Sequence, residues 1–214
     1  MTMTSFDEET KIDRSFYERP TVDVARDLLG CIISHDSPAA RLSGRIVETE
    51  AYRGQDDDAS HAYRGLTKRN GTMFGAPGHA YVYRSYGLHM MLNVVTEAAG
   101  TAAAVLIRAI EPIEGVQTMR TLRGSPPNVR SARLTAGPGR LCQALAITSE
   151  DNGADLTTGR LTIARGDSAV HQVVTSTRIG ITRGVETPWR FYILGSPSVS
   201  VRDRVAEKAV GSGS

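Results

Sequence analysis

VETEAYRGQDDDASH, residues 47–61, decides how this chain folds and where its chemistry can sit. In an extended run, side chains alternate between the two faces. Glu48, Glu50 and Tyr52 therefore point one way, and Val47, Thr49 and Ala51 the other. Two carboxylates and a phenol are costly against an apolar core and useful as the wall of a cleft. A solvated strand face with alternating Glu and Thr fits the same pattern. The run closes on Tyr-Arg-Gly, and an acidic turn then leads to His61.

Working outward, the flanking sequence predicts short strands and short helices. Upstream, Thr21 to Leu29 reads as an amphipathic helix capped by Thr21 or Asp23 and stopped by Gly30, with Val24, Ala25, Leu28 and Leu29 on one side. Residues 30–34 and 45–52 read as strands. Residues 54–79 are polar, aperiodic and rich in Gly, Asp and Asn. A loop that long inside a domain is uncommon and tends to carry function. Beyond it, residues 80–85, 89–96 and 102–110 are apolar runs separated by short turns, the pattern of an antiparallel sheet. Residues 111–122 predict a helix with Pro112 in its first position and Ile113, Val116 and Met119 inward. A helix opens on Gly137-Pro138, and further short strands fall within 152–164, 173–181 and 188–201. No repeat or linker divides the chain. The expectation is a flexible arm over 1–13, one domain over 14–204 and a disordered tail over 205–214.

At 40% hydrophobic and 22% charged, the 214 residues have the make-up of a soluble globular protein. The N-terminus is polar and acidic, reads as neither signal nor transit peptide, and is followed by no apolar run of bilayer length. Cys31 and Cys142 sit far apart among apolar neighbours, which points to free thiols in a reducing compartment. A net charge of +2 falls short of a pure nucleic-acid binder, so such binding would need a local patch. Residues 115–149 supply one candidate. They contain no acidic residue but hold Arg120, Arg123, Arg130, Arg133 and Arg140. With Lys68, Arg69 and Arg84, these form either a phosphate-tracking surface or a solvated face.

Arg108 sits inside AVLIRAI and shares a face with Leu106 and Ile110. A guanidinium there must either pair with Glu48 or Glu50 in the core or line a cavity with them. Tyr52, His61, Tyr63, Tyr81, Tyr83 and Tyr86 cluster along the chain and are all polar-tipped aromatics, suited to stacking and hydrogen bonding together. The sequence lacks zinc-protease, P-loop, dinucleotide, deaminase and nucleophile-elbow motifs.

Taken together, RIVETEAY (residues 45–52), His61, MFGAPGHAYVYRSYG (73–87), Asn93, VLIRAIEP (105–112), GPGRLCQALAI (137–147) and RFYILGSPSVS (190–200) resemble the alkyladenine (3-methyladenine) DNA glycosylase family. The resemblance runs in order from about Phe16 to Arg204. It implies an α+β fold: a single mixed domain whose curved, mainly antiparallel sheet is flanked by short helices (FMT C-terminal-domain-like). It also implies hydrolysis of the N-glycosidic bond of damaged purines in double-stranded DNA, by a monomer without metal or cofactor, working wherever the DNA is, cytoplasmic and nucleoid-associated rather than secreted. Position by position, Glu50 matches the general base and Arg108 the arginine that helps hold the attacking water. Tyr52, His61 and Tyr83 match the aromatic residues packed around the extruded base, and Asn93 a residue that crowds the amino group of guanine. Tyr86 matches the side chain wedged into the duplex, and Leu88 a DNA-contacting position that varies. Lys68, Arg69, Arg84 and Arg140 are the expected DNA-backbone contacts. A non-catalytic lesion-DNA or RNA-binding module, and a hydrolase of free nucleosides, are the alternatives.

Overall fold

In the computed structural model, which describes residues 11–166 and 171–211, the VETEAY run is the second half of the central strand. The elements, in chain order, are α1 (Arg14–Tyr17), α2 (Thr21–Asp27), β1 (Ile32–Asp36), β2 (Arg41–Tyr52), β3 (Ala80–Ser85), β4 (His89–Val95), β5 (Ala104–Glu114), α3 (Val116–Leu122), α4 (Pro138–Ala144), β6 (Leu161–Ala164), β7 (Val173–Ser176), β8 (Arg190–Ile193) and α5 (Arg204–Gly211). All strand pairings are antiparallel, in the order β3-β4-β5-β2-β1-β6. Strand β8 also pairs with β2 and carries β7 at its other edge. The result is a single α+β domain with a curled sheet.

β2 splits its two halves between partners. Residues 41–45 pair with β1, and residues 48–50 with β8. Between them the β2–β5 register slips twice, leaving Val47 and then Arg108 unopposed. A β-bulge of this kind bends a strand and shifts which side chains face inward. Before the slip, Leu42 and Ile46 enter the main core; after it, Ala51 does, and Thr49 donates to the α2 carbonyl of Ala25. The even-numbered residues Glu48, Glu50 and Tyr52 are thereby turned to the opposite face. The same slip acts on β5. Leu106 and Arg108 share a face, as expected, but Ile110 joins Val105 and Ile107 in the main core. The expected common face of Leu106, Arg108 and Ile110 is thus broken at the bulge.

Four other expectations change. β5 runs through Pro112 to Glu114, so Pro112 lies beside a register slip in a strand rather than opening a helix; α3 begins only after Gly115, and Ile113 is exposed. Proline's missing donor is tolerated at such an irregularity. Neither Thr21 nor Asp23 caps α2. Pro20 stands at that position, and the Glu97 carboxylate instead accepts from both the backbone N–H and the hydroxyl of Thr21. No strand forms at 198–201, because Ser200 turns its N–H and hydroxyl onto Glu48. Lastly, residues 205–211 of the expected tail are helical: Asp203 accepts from the N–H groups of Val205 and Ala206, and Ala206 and Val210 pack on Val174, Tyr192 and Val199. Of the expected arm, residues 1–10 lie outside the described residues, as do 212–214 of the tail. Residues 11–13 are ordered, with Ile12 buried and Asp13 capping α1.

Candidate active site

The face that the bulge turns away from the core is held by charge pairing. Glu48, Glu50, Arg108 and Arg190 are all buried and balance to zero net charge. Arg108 bridges the two carboxylates, through Nε to Glu48 at 3.1 Å and through Nη1 to Glu50 at 3.0 Å. Arg190, on β8, adds a second 3.1 Å bond to Glu48. Both alternatives for Arg108 therefore hold at once: it is paired in the interior, and it lines a cavity.

The two glutamates differ in how many bonds they accept and from which residues. A carboxylate offers about four acceptor positions. Among the described residues Glu48 accepts three bonds on Oε1, from Arg108, Arg190 and the Ser200 hydroxyl, and one on Oε2, from the Ser200 N–H; of these partners only Arg108 lines the cavity. Glu50 accepts three bonds: from Arg108 and the Tyr52 hydroxyl (2.8 Å) on Oε2, and from the Ile179 N–H (2.7 Å) on Oε1. One acceptor position on Oε1 is left. Burial raises the Glu50 pKa above its ordinary value; Arg108 and the two remaining donors oppose that rise. The Tyr52 phenol is held well above its own range by burial and by the Glu50 charge.

All three residues bonded to Glu50 line a cavity of about 750 Å³. A second wall comes from β3 and β4. Tyr81 and Tyr83 recur every second residue and so face the same way, with ring centroids 5.3 Å apart. His61 reaches over from the long loop, 4.5 Å from Tyr83 at a steep interplanar angle of 73°, with Nδ1 3.2 Å from the Tyr81 hydroxyl. Packing against these rings dehydrates part of the imidazole, and Arg69 repels a proton on it; both lower its pKa. Asn93 is buried and donates to the Tyr81 carbonyl at 3.0 Å. Loop 61–70 is held by the buried Asn70, whose amide donates to the carbonyls of His61 and Gly65 and accepts from the Thr67 N–H.

Tyr86, Gly87 and Leu88 form the three-residue turn joining β3 to β4; the Leu88 N–H donates to the Ser85 carbonyl at 3.0 Å, and φ is 48° at Tyr86 and 71° at Gly87. Positive φ at both positions is the signature of the hairpin turn that matches strand twist, and it suits glycine. Tyrosine there is uncommon. It leaves Tyr86 91% and Leu88 79% exposed, two large apolar groups at one tip. Arg69 and Arg84 line the cavity and are solvent-exposed, and the Arg69 guanidinium donates to the Arg84 carbonyl. Lys68 is exposed beside Arg69, and Arg140 is exposed two residues beyond the cavity-lining Pro138.

The sequence-predicted residues Tyr52, His61, Arg69, Tyr83, Arg84, Tyr86, Asn93 and Arg108 thus surround one cavity, with Glu50 directly behind its wall. Lys68, Leu88 and Arg140 do not line it. Sequence reading gave no site role to Tyr81, although its alternation with Tyr83 signals one. It also passed over residues 179–183, an irregular segment that forms the third wall. Among the described residues no group of three or more His, Cys, Asp or Glu side chains is placed to hold a metal ion, and no helix is long and apolar enough to cross a membrane.

Residues 15–197 match the family model described as methylpurine-DNA glycosylase. Among curated relatives, a protein of Methanocella arvoryzae is 51% identical over 195 residues, covering 89% of this chain and 96% of its own length. One of Carboxydothermus hydrogenoformans is 50% identical over 88% of this chain and 98% of the relative, and one of Salinibacter ruber is 50% identical over 87% and 94%. Each is named "Putative 3-methyladenine DNA glycosylase".

Proposed function

Because this chain belongs to the methylpurine-DNA glycosylase family, we propose that it excises alkylated or deaminated purines from duplex DNA by base flipping and Glu50-assisted hydrolysis. The observation that carries this reading is the single open acceptor on the buried Glu50, set behind a cavity walled by aromatic rings.

A base inside a duplex is out of reach, and rotating it out costs a few kcal/mol, roughly. Tyr86, projecting rigidly from its turn, is shaped to fill the gap and offset that cost. The extruded purine enters between Tyr52, His61 and Tyr83. An alkylated purine carries positive charge, and a cation over an aromatic face gains about 0.5–2 kcal/mol. A His61 kept neutral adds no repulsion to that cation. Water then gives a proton to Glu50 Oε1 as its oxygen bonds to the sugar C1′. The C1′–N bond breaks, and its electron pair leaves with the base: a cationic N-alkylated purine departs neutral, and an uncharged one such as hypoxanthine departs as the anion and takes a proton from solvent. A positioned base of this kind supplies typically ~10²–10⁴-fold. Arg108 and Tyr52 occupy Oε2, which steers the water to Oε1. No lysine lines the cavity among the described residues, and the product is an abasic site with the strand intact.

The test is single-turnover incubation with duplexes carrying 3-methyladenine, hypoxanthine or 1,N6-ethenoadenine, with and without alkali. Base release with strand breakage only after alkali is expected. Lesion binding without release from any of the three would replace this reading with the non-catalytic module.

A further inference from the structure

The third wall of the cavity, residues 179–183, has no regular secondary structure, yet it delivers one of the three hydrogen bonds to Glu50. What fixes it is the residue before it. The Arg178 side chain is fully buried, and its guanidinium makes a two-point pair with the buried Asp57, at 2.6 and 2.8 Å. The same guanidinium donates to the carbonyl of Ala51 at 3.0 Å, lies 4.8 Å from the Tyr52 ring centroid and 5.2 Å from that of Trp189. Asp57, for its part, accepts from the N–H groups of Arg53 and Ala59 and so shapes the acidic turn that leaves β2. The far end of the segment closes on the same pair. Gly184 has φ +57°, and a Cβ there would stand 2.8 Å from the Asp58 carboxylate and 2.9 Å from the Arg178 guanidinium, so only glycine lets the chain pass this close.

One buried ion pair therefore ties together the two chain segments that flank Glu50: the exit of β2 with Tyr52, and the 177–184 segment with the Ile179 N–H. We propose that Arg178 and Asp57 act as one latch that positions Tyr52 and the Ile179 N–H on Glu50, and that this latch is needed for excision rather than for DNA binding. The proposal rests on Glu50 being the base, as argued above. Arg178 reaches no reacting atom and is a positioning residue. A planar, charged group is needed at this point. It stacks on Tyr52 while filling both carboxylate oxygens of Asp57, which an ammonium cannot do. Loosening the latch leaves the carboxylate intact and moves two of its donors, and displacement of about 1 Å in such a site costs on the order of 10²-fold in rate.

The latch also affects proton affinity. The groups facing Glu50 are Glu48 and Tyr52 from β2, Tyr83 from β3, Arg108 from β5 and Arg178 itself. The Ile179 and Tyr52 bonds both favour the ionised carboxylate. Weakening them shifts the acidic limb of the rate profile to higher pH, which mere loss of folded protein would not do.

The experiment compares the full chain with Arg178→Lys, Asp57→Asn and the double variant, by single-turnover excision across pH and by lesion-duplex affinity. Arg178→Lys keeps the charge opposite Asp57 and so preserves folding if Asp57→Asn does not. The expected result is a rate lowered about 10²-fold in each single variant. The acidic limb should move upward, duplex affinity should stay within a few-fold, and the double variant should be no worse than the singles, as for groups acting as a unit. A folded Arg178→Lys with unchanged rate and limb overturns the latch, and so does a loss confined to affinity. Wild type and Glu50→Gln run in parallel separate the two readings. If wild type is active and Glu50→Gln dead while the latch variants match wild type, only the latch fails. If wild type releases nothing, the excision reading fails and takes the latch with it.

Discussion

Two glutamates one pleat apart differ in what surrounds each, and the proposed reaction uses only one of them. Glu48 accepts four bonds from two arginines and Ser200, of which only Arg108 lines the cavity, whereas Glu50 accepts three, all from residues that line it, and keeps a position open on Oε1. Removing its charge should therefore abolish excision with little harm to the fold. The fold raises the Glu50 pKa, so it binds that proton more tightly than the unfolded chain does, and ionisation costs stability above the ordinary value of 4.5. Glu50→Gln ends that cost, can still accept from Ile179 and leaves Arg108 paired with Glu48. At pH 7.5 the variant should melt at or above the wild-type temperature while releasing no base. In wild type, the rate should fall as pH drops through the raised pKa, placing the acidic limb above 4.5. Calorimetry and a single-turnover pH profile check both. A variant that still releases base, or a limb at the ordinary carboxylate value, would remove Glu50 from this role.

At the scale of elements, the proposed insertion of Tyr86 sets function against stability in the β3–β4 hairpin. Tyr86 adopts φ 48° where glycine or asparagine would be relaxed, and a non-glycine residue held in this region costs on the order of 1–3 kcal/mol. Tyr86→Gly should relieve about 1 kcal/mol and raise the melting temperature, while weakening binding to lesion duplex. A lower melting temperature would show that Tyr86 is held by contacts elsewhere, and unchanged duplex affinity would count against its insertion. This hairpin was legible from sequence because β3 alternates tyrosine with valine and an apolar run, β4, follows the Tyr-Gly turn. The polar face of β2 was legible for the same reason. The parity change at Val47 and Arg108 was not. A bulge is a property of two paired strands, and residues 41–52 read alone cannot show that β5 slips beside them. Residues 177–181 were expected within a strand, but β7 ends at Ser176, and the role of the irregular 177–184 segment depends on Asp57, far away in sequence. The α5 helix was missed because its two apolar contacts, Ala206 and Val210, are too few to stand out from a polar terminus.

For the molecule as a whole, the distribution of cations matters more than their sum. A net charge of +2 gives weak long-range attraction, and the arginines between 115 and 149 are not equivalent. Arg120 donates to the carbonyls of Pro126 and Val129, and Arg123 to the Gln143 side chain, so both brace the segment that links α3 to α4. Lys68, Arg69, Arg84 and Arg140 are exposed; Arg69 and Arg84 stand on the cavity rim, where the backbone of the proposed flipped nucleotide would pass. Each phosphate neutralised releases counterions and contributes about 0.9 to the slope of log affinity against log salt. Arg84→Ala should therefore weaken lesion and undamaged duplexes alike and reduce the slope by roughly 0.9. Arg120→Ala should instead lower the melting temperature, because it leaves two carbonyls without their donor, and should keep the slope. Fluorescence anisotropy across a salt series, with thermal melts of the same proteins, separates the two. An equal change of slope in both variants would move the DNA footprint from the cavity rim onto the α3–α4 face.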